Sequence, residues 1–236
     1  MHGILNKIKK IGRNTPPVGA ITFGDFRRTE PFSRAFGAER GGAIDRYYIE
    51  RFVGENVDLI KGQVLEIKDN FYTTHFGKTH VTKSDVLDID KNNTQATIIG
   101  DLNYPLDIPN NSFDCIIFTQ TLQYIYQLET ALSSLYRILK PGGVLLLTVP
   151  GIGQIGTYEH EKKNFLWSFT GNSVQKLLSI VFPADTFTVN THGNVFVAAA
   201  FLYGIGLSEV TTDELLVHDP YYQLVITAKA VKPLQG

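Results

Sequence analysis

The sequence predicts an α/β chain whose seven strands form one mostly parallel, doubly wound sheet with helices on both faces. Three observations carry that prediction. Short apolar runs (QVLEI, ATIIG, FDCIIFT, VLLLTVP) recur along the chain, as strands buried on both faces require. Segments of helical period or turn signals alternate with these runs. Acids or other polar residues follow most of the runs, which gathers polar chemistry along one edge of the sheet.

The elements follow in order. Residues 1–42 are rich in Gly, Arg and Phe and lack periodicity, so they read as an irregular arm packing on the domain formed by 43–236. Within the arm, Arg27, Arg28, Arg34 and Arg40 are either loop residues or planar forks for a carboxylate or phosphate. From Ala43 a helix is expected, with Ile44, Tyr48 and Phe52 on one face. Gly62 breaks the chain before a first strand at 63–67. Further strands are expected at 80–85, 96–100, 113–119 and 144–150. Leu128, Ala131, Leu132, Leu135, Ile138 and Leu139 recur at helical spacing, and Pro141-Gly142-Gly143 reads as that helix's stop. The polar, aromatic stretch 151–170 reads as a long connection above the sheet edge. A helix at 172–181, a strand near 186–190, a buried helix within 195–207 and a closing strand at 222–231 complete the count.

Composition narrows the function. The 236 residues suit a single domain, and 22 Lys and Arg against 23 Asp and Glu give no field that would draw a nucleic acid. The single cysteine, Cys115, lies within an apolar run and reads as an inert buried thiol. The amino terminus has no continuous apolar region of the secretory kind, and the longest apolar stretch, 195–207, falls short of the roughly 20 residues of a membrane span. A cytoplasmic protein is expected. His75 and His80 lack a third ligand at metal-like spacing, so no metal site is expected.

Ligands of open α/β sheets bind beyond the carboxyl ends of the strands. The acids placed there, Glu66, Asp85 and Asp101, suit a nucleoside-bearing ligand. Asp85 would accept ribose hydroxyls, Asp101 an adenine amino group, and Glu66 would meet a cationic end; a helix cap or turn role is the alternative for each. A GxGxxG turn is absent, which disfavours a dinucleotide.

The runs VLEI, GDLNYPLDIPNNSFDCIIFTQTLQYI and LYRILKPGGVLLLTVPG resemble the class I S-adenosylmethionine-dependent methyltransferases over about residues 60–150. FRRTEPFSRAFGAERGGAIDRYYIERF and HDPYYQLVITAKAVK are similar to a bacterial group of such domains associated with glycosyltransferases and surface-polysaccharide assembly. The resemblance implies a Rossmann-like fold, S-adenosyl-L-methionine as cofactor, and methylation of a small-molecule or glycan hydroxyl, with a glycosyltransferase as a partner. It assigns the cofactor site to Glu66, Ile67, Lys68, Asp85, Asp101, Leu102, Thr119 and Gln120.

The family's glycine-rich turn after the first strand is missing: Glu66-Ile67-Lys68-Asp69-Asn70-Phe71-Tyr72 holds no glycine, and none follows until Gly77. Lys68 either projects into the methionine subsite or points into solvent. The first case favours a second reading, a methyltransferase-like binding or assembly module with weak or no turnover. His160, between Glu159 and Glu161, is the candidate general base, a solvated histidine being the alternative. Tyr158 and Trp167 form either an acceptor wall or ordinary packing, and Arg46 and Tyr47 open the helix that would cap the site.

Overall fold

The computed structural model describes residues 16–234. Two compact units divide at Pro31/Phe32. Among the described residues of the first, Gly24–Arg27 form a 3-10 turn, with the Arg27 guanidinium 5.2 Å from the Phe23 ring centre. The larger unit starts at Phe32, so it takes in residues 32–42 of the stretch that the sequence reading treated as an arm packing on the domain. The reason is local: the Phe32 N–H donates to the Tyr203 carbonyl at 2.7 Å, and Arg40 forms a two-point ion pair with Glu209. Residues 32–42 are thereby built into the larger unit.

That unit holds one seven-stranded sheet. Its strands are β1 (Gly62–Ile67), β2 (Val81–Asp88), β3 (Ile98–Ile99), β4 (Phe113–Thr119), β5 (Leu139–Pro150), β6 (Phe187–His192) and β7 (Val225–Val231). Their order is β3-β2-β1-β4-β5-β7-β6, with β7 antiparallel to both neighbours and the other pairings parallel. The chain winds outward from β1 in one direction, then returns to start again at β4. The crevice for a ligand therefore opens between the carboxyl ends of β1 and β4.

Alternation within each strand feeds two cores. Leu65, Ile116, Phe118, Leu145 and Leu147 pack on one face against α2 (Leu128–Ile138) and α4 (Gly171–Leu178), through Leu132, Leu135, Val174 and Leu178. Val64, Cys115, Ile117 and Leu146 pack on the other face against α1 (Ile44–Glu55) and α5 (Val195–Leu202), through Ile44, Ile49, Phe52, Val197 and Phe201. Burial on both faces explains why these strands read as continuous apolar runs. Cys115 is fully buried at the centre of β4, and burial pushes its thiol pKa well up. The remaining helices are α3 (Thr157–Lys162) and α6 (Thr212–Leu216). Among the described residues, no helix is long and apolar enough to cross a membrane.

Several boundaries differ from the sequence reading by a few residues, and two of the differences bear on the site. The helix before β5 stops at Ile138, and Pro141-Gly142-Gly143 lies within β5 as an irregularity: Phe113 pairs with Leu139, but Cys115 already pairs with Val144. Gly143 is required there, since a Cβ would stand 2.8 Å from the Lys140 carbonyl and 2.9 Å from that of Phe113. The second difference is β2, which runs three residues past Asp85.

Candidate cofactor and acceptor site

The β2 extension moves one expected site residue. Asp85 lies in mid-strand opposite Leu65, its side chain 4% exposed, where it accepts hydrogen bonds from Gln63 (3.1 Å) and Thr97 (3.0 Å) and pairs with Lys83 (2.9 Å). Burial pushes its carboxyl pKa up, and the bonds from Lys83, Gln63 and Thr97 outweigh that, leaving it below the usual range. Asp85 is thus engaged within the strand and does not stand at its end, where the sequence reading had placed it as a ribose acid. The strand-end acid is Asp88, whose carboxylate accepts from the Asp90 N–H (3.0 Å) and from Asn93 Nδ2 (2.6 Å). The buried pair Val86-Leu87, just past Asp85, is the signal that the strand continues.

Asn93 also bonds the Lys68 carbonyl at 2.6 Å, which locks the turn after β1 to the acid ending β2. Lys68 itself sits at φ +73°, the left-handed conformation that glycine adopts without strain. The turn expected of a glycine is therefore kept with a lysine in it. The Lys68 side chain is exposed and forms no hydrogen bond or ion pair among the described residues, while Ile67 packs against the core.

Glu66 turns back on its own chain. Its buried carboxylate accepts from the Tyr72 N–H (3.0 Å), the Thr73 N–H (2.8 Å) and the Thr73 hydroxyl (2.7 Å). It caps the short helical turn at 73–77 that replaces a full helix between β1 and β2. Burial raises its pKa to about 7, with the bonds from Thr73 and Tyr72 working against the rise. Arg46, in the first turn of α1, donates to the Tyr72 hydroxyl at 2.7 Å, so α1 starts over the carboxyl end of β1; Tyr47 packs edge-on against Tyr48.

On the neighbouring strands, Asp101 accepts from the N–H and the side-chain amide of Asn103, and Leu102 is buried in the core. Thr119 ends β4, and its carbonyl accepts from the Thr121 hydroxyl. Gln120 is at φ +45° and donates its N–H to Thr148 on β5. Lys68 and Gln120 are thus two non-glycine residues held left-handed at the ends of adjacent strands, where such strain clusters at functional sites.

The 151–170 connection contains α3, which the sequence did not reveal because six polar residues carry no periodic signal. His160 is exposed on α3 and its ring makes no hydrogen bond among the described residues. Tyr158 is likewise exposed, with Lys162 over its ring. Trp167 donates Nε1–H to the Ile125 carbonyl (2.9 Å) and stacks on Tyr126. The side chains brought together over the β4–β5 edge are others. The Tyr124 hydroxyl reaches Glu159 at 3.4 Å, its ring meets Phe165, and the adjacent Gln123 is 2% exposed, its side-chain amide donating to the Gln120 carbonyl. Sequence reasoning assigned no role to these four; the LQY run at 122–124, two residues past β4, was the available signal.

Residues 58–147 match the methyltransferase domain family. The ubiquinone/menaquinone biosynthesis C-methyltransferase UbiE of Erwinia tasmaniensis is 45% identical over 56 residues, a match spanning 21% of this chain and 22% of that protein. Among solved structures, the (4+2)-cyclase SpnF superposes with a TM-score of 0.54 at 13% identity, covering 80% of this chain and 82% of that one. The phosphoethanolamine N-methyltransferase 2 of Haemonchus contortus, in complex with phosphomonomethylethanolamine and S-adenosylhomocysteine, superposes with a TM-score of 0.52 at 13% identity, covering 85% and 60%. A cyclase beside methyltransferases shows that this fold hosts more than one reaction. The chain is thus similar to the methyltransferase domain family over residues 58–147, and it shares the fold of solved S-adenosylmethionine-dependent methyltransferases.

Proposed function

We propose that the protein transfers the methyl group of S-adenosyl-L-methionine to a hydroxyl of a small molecule or glycan. The observation that carries this reading is the Asn93 bridge, which holds the glycine-like turn at Lys68 and the Asp88 carboxylate in one unit beside the switch point. A carboxylate offers about four lone-pair sites, and two donors occupy that of Asp88, which leaves room for ribose hydroxyls. Asp101 and Leu102 would flank the adenine, and the backbone at Ile67 and Lys68, with Thr119 and Gln120, would border the methionine portion. Glu66 supports the site through its cap on 73–77. Arg46 is placed for a carboxylate, with Tyr47 beside it.

When bound, the cofactor supplies an electrophilic methyl group on a sulfonium. The chain's part is to align a hydroxyl with it and to receive the proton. His160 is the proposed base, with Tyr158 and Trp167 as the acceptor wall. His160→Ala is expected to slow turnover roughly 10²-fold or more while leaving cofactor affinity unchanged. Calorimetric titration with S-adenosylmethionine, S-adenosylhomocysteine and NAD tests the whole reading: the first two bind and NAD does not. Absence of binding by both sulfur ligands would remove it.

Lys68 favours a second reading, a binding or assembly module with little turnover, because a cation at the glycine position opposes a sulfonium. Association with a glycosyltransferase belongs to this reading. Tight binding of S-adenosylhomocysteine without methyl transfer to any hydroxyl acceptor would select it.

A further inference from the structure

At the amino edge of the sheet, a cavity of about 510 Å³ opens between the last turn of α2, the 110–111 turn and the segment that follows β7. Its walls are Asn110, Asn111, Tyr136, Arg137 and Lys232–Leu234. Small-molecule sites run from roughly 300 to 1,000 Å³, so a whole ligand fits there.

Charge sets this corner apart. Arg40, Arg51, Lys83 and Lys140 each face a carboxylate, that of Glu209, Glu55, Asp85 and Asp114 in turn. Arg137 and Lys232 line one cavity, and neither pairs with a carboxylate among the described residues. Their hydrogen-bond partners are neutral. Arg137 donates to the carbonyls of Leu106 (2.7 Å) and Ile108 (2.5 Å) and to Asn110 Oδ1 (2.8 Å). Lys232 donates to the carbonyls of Arg137 (3.3 Å) and Leu139 (2.7 Å) and to Asn111 Oδ1 (2.8 Å). Burial, with the Arg137 charge next, holds the Lys232 ammonium below the usual lysine range. The carboxyl end of α2 offsets part of the excess, but a helix end carries only about half a negative charge, against two full positive ones.

Hydrogen bonding points the same way. Arg137 uses both N–H groups of Nη1 and one of Nη2, which leaves Nε–H and the second proton of Nη2. Each asparagine turns its amide oxygen to a cation, so its NH2 group is left over. The polar wall therefore offers protons and positive charge. The remaining walls are apolar: the Tyr136 ring, held edge-on by Phe182 with centres 4.9 Å apart and with Lys232 Nζ 4.9 Å from its own centre, and Pro233 and Leu234, the latter 78% exposed.

An oxyanion suits this inventory, and a dianion best, because two cations share the site. A bare ion would leave most of the volume empty, so the charged group comes with a body that meets the apolar walls. We infer that this cavity is a second ligand site, at the opposite edge of the sheet from the crevice between β1 and β4, and that it binds a small phosphate monoester with an aromatic or apolar body. The inference does not rest on the methyl-transfer reading.

Amide-shift titration of the full chain tests it with three probes: phenyl phosphate, inorganic phosphate and benzyl alcohol. Phenyl phosphate is expected to move the amides of residues 110–112, 136–137, Lys232 and Leu234. Inorganic phosphate should move the same amides but bind about tenfold more weakly, and benzyl alcohol should leave them in place. Asn111→Asp gives Lys232 a carboxylate partner in the same position, and aspartate tolerates the left-handed backbone there (φ +56°). That variant should keep its thermal stability and lose about tenfold in phenyl phosphate affinity, a combination that misfolding does not produce. Should it not fold, Lys232→Gln is read on the same panel, with the same loss expected. Shifts centred on other residues, equal binding of phenyl phosphate and inorganic phosphate, benzyl alcohol binding as tightly as phenyl phosphate, or unchanged affinity in the variant overturns the inference. Phenyl phosphate binding here without S-adenosylhomocysteine binding would keep this site and remove the methyltransferase reading, and the converse would do the opposite.

Discussion

The two edges of the sheet are built on opposite principles. At the amino edge, polar groups are saturated by one another. Lys140 and the Gln63 N–H share the Asp114 carboxylate, Arg137 donates to the carbonyls of Ile108 and Leu106 and to Asn110, and Lys232 donates to the carbonyls of Arg137 and Leu139 and to Asn111. At the carboxyl edge, Lys68 and Gln120 are held left-handed, Gln123 and Asn164 keep orphaned oxygens, and Tyr126, Tyr158 and Trp167 stand exposed. Stability is concentrated below and, the cavity at Arg137 and Lys232 aside, unspent binding capacity above. That is the division expected where ligands meet the carboxyl ends of strands.

The largest expected effect breaks the lower edge. Arg137→Ala strands two backbone carbonyls and should cost roughly 3–4 kcal/mol in urea unfolding, with cofactor affinity of the folded protein unchanged. A loss below about 0.5 kcal/mol would show that the amino edge does not hold the fold as described.

Next comes Glu66, which sharpens the contrast because it is a structural acid at the functional edge. Its pKa rises from 4.5 to about 7 on folding, so between those values the folded chain keeps a proton that the unfolded chain releases. Stability should therefore fall as pH rises through that window, by up to about 3 kcal/mol. Thermal unfolding of Glu66→Gln against pH should lack this slope; an equal slope in both proteins assigns it to other groups.

A smaller effect separates two aspartates on one strand. Asp88→Ala should weaken S-adenosylhomocysteine by about tenfold or more, or about 1.5–3 kcal/mol, whereas Asp85→Ala should lower stability and leave affinity within a few-fold. The reverse result in calorimetry would restore Asp85 as the ribose acid and reject the strand-end argument.

The smallest concerns Lys68. Replacement by glycine relieves the left-handed strain and raises chain entropy in the unfolded state, for a net gain of up to about 1 kcal/mol. Removing the cation should also favour the sulfonium ligand over its uncharged product. Equal affinity changes for S-adenosylmethionine and S-adenosylhomocysteine would place the Lys68 charge outside the methionine subsite.

The contrast between edges also explains what the sequence made legible. Strands β1, β4 and β5 declared themselves because parallel strands covered on both faces must be apolar throughout, and α1 and α2 because their buried faces recur at helical spacing. Asp85 misled because its polar neighbours Lys83 and Ser84 resemble a strand ending, while burial resumes at Val86. Arg46, Asp101, Leu102, Thr119 and Gln120 were legible as strand-end or helix-start positions. Glu159 was passed over for His160, since nothing in a six-residue polar helix tells which side faces the sheet. The inward turn of Glu66 depends on a cap formed with residues six and seven positions away, which periodicity does not encode.

Cys115 gives the molecule a built-in clock. Its thiol lies in the central strand with β1 and β5 paired on either side, it is the one cysteine in the chain, and burial keeps it from ionising. A thiol reagent reaches it only when the sheet itself comes apart, not when the loops at either edge move. The rate of its labelling under native conditions thus counts global openings alone, and a ligand gripping the carboxyl edge of β1 and β4 would slow that count without ever touching the sulfur.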